Sequence, residues 1–322
     1  MSQQANNKFY SVKSEQVYTT NRIKRFERTL TEPNQFSVYS QNLLAGYWTD
    51  LDRYYFVEEP KEEHYEWSGR VKKLLRDFTI HQPDILCLQE VELACFEKDV
   101  LEPLQKVDES YRGVAQKKLG DFPVGVGCIF KESVFELVEV FERSSVIILV
   151  LKFKANDTLI YVSSCHLMGD PRKPQTRINQ LKSYFKHLKN YQKGKDHPVI
   201  VAGDFNTEPN SATYDYVVNG FLKGKSEEND VIATDTDIKH TFKLKSAYKE
   251  INGKEPEMTL RTINSSLTCD YLFYTNESLK LNNVMSLYEN GDKTHMERLG
   301  LPNSKYGSDH LGLQAHFTIT KQ

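Results

Sequence analysis

Asn42, the pair Gln89–Glu90, His166, Asp204 with Asn206, Asp270, and the pair Asp309–His310 share one habit: each stands where an apolar run ends or begins. Glu90, Asp204, Asp270 and Asp309 are hard oxygen donors. Asn42 and Asn206 are neutral amides able to hold a phosphate oxygen or a metal-bound water. His166 and His310 can donate to a phosphoryl group. Oxygen donors without thiolates suit Mg2+ or Mn2+ rather than Zn2+, and no cysteine is expected at a ligand position. A lone carboxylate after a strand is more often a turn or helix cap; here the set carries the signal. The chain has no GxxxxGK phosphate loop, no GxGxxG and no GxSxG. What remains is metal-assisted hydrolysis of a phosphate ester.

Such residues act together only if the elements carrying them converge. FSVYSQNL, from Phe36, reads as a strand with period-two alternation. Trp67, Val71, Leu74, Leu75 and Phe78 recur at helical spacing, and Pro83 ends that helix. DILCLQE is a buried strand, and residues 94–106 read as helix. Four β-rich runs follow at 111–117, 125–130, 134–140 and 145–154. TLIYVSSCHL and HPVIVAGDFN are apolar strands with polar ends. Between them Pro174 opens a helix with Ile178, Leu181, Phe185 and Leu188 on one face. Its other face carries Lys182, Lys186 and Lys189, ordinarily a solvated face. A short helix is expected at 212–218, loops at 49–63 and 223–240, and the last strands at TCDYLFYT and HLGLQAHFTI. No repeat or linker divides the chain. The pattern predicts one α/β domain, a four-layer α/β sandwich of two mainly antiparallel sheets with helices outside. Its polar strand ends would share one rim.

The composition fits this. Hydrophobic residues make up 39% of the 322 residues and charged residues 27%, an ordinary globular balance. Lys and Arg number 42 against 44 Asp and Glu, a net charge of −2, which argues against bulk coating of a polyanion. No run of about 18 apolar residues exists, so no membrane span is expected. The first residues lack the apolar core of a secretory signal. Five scattered cysteines suit a reducing compartment, and a cytoplasmic location is expected. Residues 1–34 form a polar extension with a basic cluster, Arg22, Lys24, Arg25 and Arg28. It reads as a solvated lead-in, or as a mitochondrial presequence interrupted by Glu15 and Glu27. Residues 35–322 are expected to be the catalytic domain.

QNLL (41–44), QPDILCLQEVE (82–92), SSCHL (163–167), VIVAGDFNTEP (199–209), CDYLFY (269–274) and YGSDHLGL (306–313) follow in the order and spacing of the exonuclease–endonuclease–phosphatase superfamily. The resemblance covers about Phe36 to Phe317. It is strongest to the branch of carbon catabolite repressor-type deadenylases, nocturnin and Angel proteins, through QPDILCLQEVE and KLKSAYKEINGKEPEMT (243–259). It implies a deoxyribonuclease I-like fold and one or two Mg2+ or Mn2+ ions. It implies Glu90 as the principal metal ligand, with Asp309 acting on a second metal or a bound water. Asp204 would activate the attacking water and border the metal, and Asn206 would hold that water. Asp270 would pair with His310, which touches the scissile phosphate. His166 would donate to a phosphate oxygen, and Asn42 would bind the phosphate or the metal's water shell.

The same resemblance frames the substrate. Deadenylases of this branch carry an aromatic residue five positions before the catalytic aspartate; here that position is Ser265. The proline covering the other face of the base is present as Pro171. Losing one stacked ring removes about 1–3 kcal/mol of base binding, so a weakened poly(A) preference is expected. Arg172, Lys173 and Arg177 read either as contacts to flanking phosphates or as an exposed loop entering a helix. Arg70, one turn from Trp67, reads as a surface ion pair or as a residue positioning the site. Tyr47 and Trp48 line the mouth or pack in the core. The implied partner is single-stranded RNA or a small nucleotide phosphate, with no membrane. The main expectation is a 3′-to-5′ exoribonuclease. The alternatives are a phosphatase of a 2′,3′-cyclic phosphate end or of a dinucleotide 2′-phosphate, and a non-catalytic RNA-binding protein.

Overall fold

The computed structural model describes residues 34–52, 55–117, 123–143, 145–224, 236–288 and 292–320. The expected N-terminal extension and its basic cluster lie outside the described residues, apart from Asn34. Strands β1 (Gln35–Asn42), β2 (Ile85–Glu92), β3 (Tyr111–Lys117) and β4 (Val124–Lys131) enter one sheet. Strands β5 (Phe135–Arg143), β6 (Val146–Phe153), β7 (Thr158–His166) and β8 (Val199–Asp204) enter a second. Short strands follow: β9 (Phe221–Leu222), β10 (Ile238–Lys239), β11 (Leu244–Ser246), β12 (Leu260–Arg261) and β13 (Ser266–Leu267). β14 (Asp270–Thr275) returns to the second sheet, and β15 (Leu279–Val284) and β16 (Leu313–Ile319) return to the first.

The two six-stranded sheets run in the orders β15-β16-β1-β2-β4-β3 and β11-β14-β8-β7-β6-β5. Each is antiparallel except for one central parallel pair, β1 with β2 and β7 with β8. Strand alternation separates the layers. Val38, Ile85, Cys87, Ile147, Leu149 and Leu151 fill the space between the sheets. Their neighbours Tyr39, Leu86 and Leu88 face the helix Trp67–His81, while Val146, Ile148 and Val150 face the helix Pro174–Tyr191. Every strand residue of β4 and β8 is buried, so both faces need cover, and helices supply it. Each fully buried Leu or Phe contributes about 1.5–3 kcal/mol. This is the expected α/β sandwich. Among the described residues no helix is long and apolar enough to cross a membrane.

Three local readings need correction. The expected loop 49–63 contains the helices Gly46–Leu51 and Glu62–Tyr65. Thr49 Oγ1 bridges the Gly46 and Tyr65 carbonyls, and Phe56, Val57 and Tyr65 pack with Leu44. β15 was not expected, because a bulge between Leu281 and Asn283 breaks its alternation. The helix Asp292–Leu299 was also missed. The expected loop 223–240 falls partly outside the described residues, and its end forms β10.

Gly203 shows how tightly the two parallel strands meet. Its φ is +140°, and a Cβ there would lie 2.0 Å from the Cys165 carbonyl oxygen on β7. Gly253 also has a positive φ, +75°, but faces open space. Urea denaturation should therefore separate them. Gly203→Ala should destabilise the fold by at least about 2 kcal/mol, against about 1 kcal/mol for Gly253→Ala. Equal losses would contradict the close approach of β7 and β8.

Candidate active site

Both parallel pairs point their C-terminal ends at one rim. Open α/β sheets bind ligands there, because the strand ends expose side chains that the sheet interior cannot. Asn42 ends β1, His166 ends β7 and Asp204 ends β8, with His166 and Asp204 directly paired in register. Asp270 opens β14 opposite Asp204. Asn42 crosses between the sheets: its Nδ2 donates to Glu90 Oε1 at 3.3 Å and to Asp204 Oδ2 at 3.1 Å. Its Oδ1 accepts from Leu44 N at 2.9 Å, which fixes the amide orientation.

Glu90 reaches the rim through a backbone irregularity. β2 pairs with β4 through Gln89 and Val91 but skips Glu90. The extra residue has φ +53°, a left-handed conformation that costs a non-glycine residue about 1–2 kcal/mol. The bulge turns its carboxylate into the cleft, where Oε2 accepts from Ala45 N at 2.9 Å. Asn206 is likewise left-handed, at φ +49°, and Asn tolerates this best after Gly. Its N–H donates to Asp204 Oδ1 and its Nδ2 to the Leu167 carbonyl.

His310 Nδ1 lies 2.8 Å from Asp270 Oδ2, which also accepts from Thr259 Oγ1 at 2.6 Å. That orientation turns Nε2 toward Asp204 Oδ2 at 3.9 Å. His166 Nε2 reaches the same oxygen at 3.7 Å. Two imidazoles thus converge on one carboxylate oxygen. Burial opposes charge on His310, but the carboxylates of Asp270 and Asp309 outweigh it and hold the imidazolium well above its usual range. Burial pushes the Glu90 carboxyl up to about 7, and Asp309 adds to this. Burial also raises the Asp309 carboxyl. Among the described residues neither carboxylate is paired with Lys or Arg. A half-buried Glu90 and a buried Asp309, mutually repelling and beside an amide, form a hard-oxygen donor set, which fits a divalent cation held by Glu90 with Asp309 nearby.

A second cluster needs a different reading. Asp204, Cys269, Asp270 and His310 bring ligand-type atoms within 4.8 Å of one another. The expectation of no cysteine near ligands is therefore corrected for Cys269. Burial first, and the Asp270 carboxylate second, push its thiol well up, so it stays protonated beside Asp270. A thiol and an already hydrogen-bonded Asp270 suit a positioning network better than a hard cation.

The basic residues expected around the site divide. Arg70 is fully buried, not on the surface. It donates to the carbonyls of Tyr65, Leu43, Leu44 and Gly307 at 2.6–3.0 Å. It faces no substrate; it ties the segment after Asn42 to the segment before Asp309. Arg177 is also buried and donates to the Met168 and Asp170 carbonyls, bracing the loop after His166. Arg172 and Lys173 are exposed on that loop and lie against Asp170; Pro171, beside them in the chain, is also exposed. Arg172 holds the Asp170 carboxyl down to about 2. Tyr47 is partly exposed, and with Trp67 it lines a cavity of about 550 Å³ beside Glu92; Trp48 packs edge-on against it. Ser265 ends the tight turn between β12 and β13, where exposed Tyr55 brings its hydroxyl within 3.4 Å of Ser265 Oγ. That hairpin touches the site: Arg261 N donates to the Asp309 carbonyl.

Sequence reasoning missed Tyr55, Thr259, Ser308 and the reason for Arg70. Ser308 Oγ donates to the Asn42 carbonyl at 2.7 Å, and its place beside Asp309 was a usable signal. Nothing local marked Tyr55, which is 210 residues from its neighbour. The arginine analysis predicts a sharp contrast. Arg70→Lys, which cannot span four carbonyls, should cost at least about 2 kcal/mol in urea denaturation. Arg172→Ala should leave the melting temperature unchanged. A melting temperature unchanged by Arg70→Lys would contradict the buried clamp.

The profile of the Endonuclease/Exonuclease/phosphatase family matches residues 40–310. The chain is 24% identical to the CCR4-Not complex 3′-5′-exoribonuclease subunit Ccr4 of Emericella nidulans, over 91% of this chain and 53% of that protein. It is 24% identical to Protein angel homolog 2 of Danio rerio, over 90% of this chain and 65% of that one. The chain thus spans half to two thirds of the length of these curated relatives. The crystal structure of ANGEL2, a 2′,3′-cyclic phosphatase, in complex with adenosine-2′,3′-vanadate is similar with a TM-score of 0.76 and 25% identity, covering 88% of this chain and 96% of that one. With the family profile covering most of the chain, the rim ends of both parallel pairs and every rim residue named above, the chain belongs to the Endonuclease/Exonuclease/phosphatase family.

Proposed function

We propose that residues 35–322 are a divalent-metal-dependent phosphodiesterase acting at the 3′ end of single-stranded RNA, as a 3′-to-5′ exoribonuclease. The observation that carries this reading is the convergence of His166 Nε2 and His310 Nε2 on Asp204 Oδ2, at 3.7 and 3.9 Å. A carboxylate flanked by two imidazoles suits an attacking water beside a phosphoryl group. In this reading Asp204, steadied by Asn42 and the Asn206 N–H, takes a proton from the water. The water oxygen bonds to phosphorus and the bond to the ribose 3′ oxygen breaks. The leaving oxygen gains a proton, giving a 5′-nucleotide and a chain one residue shorter. His310, held charged by Asp270, and His166 stabilise the negative charge that develops on the phosphate oxygens. Mg2+ or Mn2+, as one or two ions at Glu90 and Asp309, would neutralise further charge there.

The similar proteins support the 3′ end as the target. One is named a 3′-5′-exoribonuclease subunit and one a 2′,3′-cyclic phosphatase; both chemistries attack phosphorus bonded to a ribose 3′ oxygen. The similarity to the vanadate complex favours a second reading, removal of a 2′,3′-cyclic phosphate from an RNA end. All five cysteines are free, which supports a reducing compartment such as the cytoplasm.

The test is a product assay with Mg2+ on two 5′-labelled RNAs, one with a 3′ hydroxyl and one with a 2′,3′-cyclic phosphate, beside Asp204→Ala. Stepwise shortening of the hydroxyl-ended RNA is expected, with a loss of about 10³-fold or more in a variant that still melts cooperatively. Conversion of the cyclic end alone would select the second reading. Wild-type rates from Asp204→Ala would overturn the mechanism.

A further inference from the structure

The helix Pro174–Tyr191 contains no Asp or Glu over its 18 residues. Its exposed residues are Asn179, Lys182, Ser183, Lys186, Lys189 and Asn190, and exposed Lys193 follows just beyond its end. The spacing of Lys182, Lys186, Lys189 and Lys193 is four, three and four residues, which aligns them along one face. Among the described residues Lys182, Lys186 and Lys189 form no ion pair; Lys189 Nζ donates to Thr241 Oγ1. Lys131, Lys152, Lys243, Lys245 and Lys293 lie on carboxylates, whereas exposed Lys98, Lys106 and Lys280, like this row, form no ion pair among the described residues; what sets the row apart is its alignment along one helix face. Among the described residues, this helix therefore presents an exposed row of lysines with no acidic partner.

The row is anchored to the catalytic rim. Gln180 Oε1 accepts from Met168 N and Gln180 Nε2 donates to Ser145, while Arg177 holds the Met168 and Asp170 carbonyls. The first half of the helix is thus locked behind the loop that follows His166. Its far end receives the Tyr161 hydroxyl on the Tyr191 carbonyl, well down β7 from His166. At 1.5 Å per residue the helix leads about 27 Å away from the cleft. No exposed position on it is apolar, so it lacks the face that an interfacial membrane helix inserts into lipid.

We propose that this lysine row is a track for the phosphates of single-stranded RNA, carrying the body of the chain while its 3′ end occupies the cleft. The proposal rests on the reading of the protein as an RNA 3′-end hydrolase, and adds that the substrate is several nucleotides long. Lys182, Lys186 and Lys189 would release counterions from the bound strand, so binding would be salt-dependent through them.

The test compares Lys182→Glu/Lys186→Glu/Lys189→Glu with a control of equal charge change on exposed sites packed with the other sheet, Lys98→Glu/Lys106→Glu/Lys280→Glu. Binding of a labelled 20-nucleotide RNA is followed by fluorescence anisotropy across a salt series, with turnover of the same RNA and of a trinucleotide measured beside it. The helix variant should bind the long RNA at least about tenfold more weakly at low salt, with a salt slope smaller by about 2. The control should bind as wild type, and trinucleotide turnover should be equal in all three. Equal weakening by both triple variants, or none by either, overturns the track. If RNA turnover then persists in all three, the catalytic reading still stands. Wild-type protein that neither binds nor hydrolyses RNA overturns both. Loss of binding to phosphatidylserine vesicles without loss of RNA binding would assign the row to a membrane and overturn the proposal.

Discussion

One side-chain amide joins the two sheets at the point where the chemistry would occur. Asn42 Nδ2 donates to Glu90 in its own sheet and to Asp204 in the other. The two carboxylates it bridges, Glu90 and Asp204, take their relative position from that crossing. The amide holds two carboxylates within reach of each other, which ionised groups would not tolerate unaided. It can do so because the backbone on each side is fixed: Leu44 N grips its Oδ1, and Ser308 grips its own carbonyl. Arg70 then binds the carbonyls of Leu43, Leu44 and Gly307, locking the segments that carry Asn42 and Asp309 to one guanidinium. Its charge is buried, and burial lowers its proton affinity to about 10, yet four carbonyls still satisfy it. The resulting frame braces the backbone at the point where, in the proposed reading, a phosphoryl group would be oriented.

The same frame stores strain and repulsion. Glu90 sits left-handed in a bulge, and its carboxyl is raised to about 7 by burial and by Asp309. Such features persist only where the surroundings over-determine them, and they cluster at sites of chemistry. Opposite them, Asp270 makes His310 a standing cation. In the proposed reading, one side of the cleft would hold a metal and the other a phosphate oxygen.

Much of this was legible in the residues alone, for a definite reason. Apolar runs with polar ends mark buried strands that open on a cleft, and period-two alternation separated the two core layers. Asp204, His166 and Asp270 were therefore visible as a set before any fold existed. Arg70 and Arg177 stood out as candidates, Arg70 with a positioning role among its readings, but their carbonyl partners did not, because a guanidinium bound to carbonyls leaves no trace in the partner side chains. Cys269 looked like any small buried residue, and only the pairing of β14 with β8 brings it beside His310. β15 hid behind its bulge. Tyr55 beside Ser265 depends on a loop meeting a hairpin, a contact no local pattern encodes.

The most direct test of the central claim, that this rim is a metal-assisted phosphoryl site, is anomalous diffraction from crystals soaked in Mn2+ with a vanadate ester of adenosine. The account predicts an anomalous peak on the Glu90 carboxylate, with the vanadate within hydrogen-bonding reach of His166, His310 and Asn42. A peak instead on Cys269 and Asp270, or vanadate bound away from the two imidazoles, would contradict it.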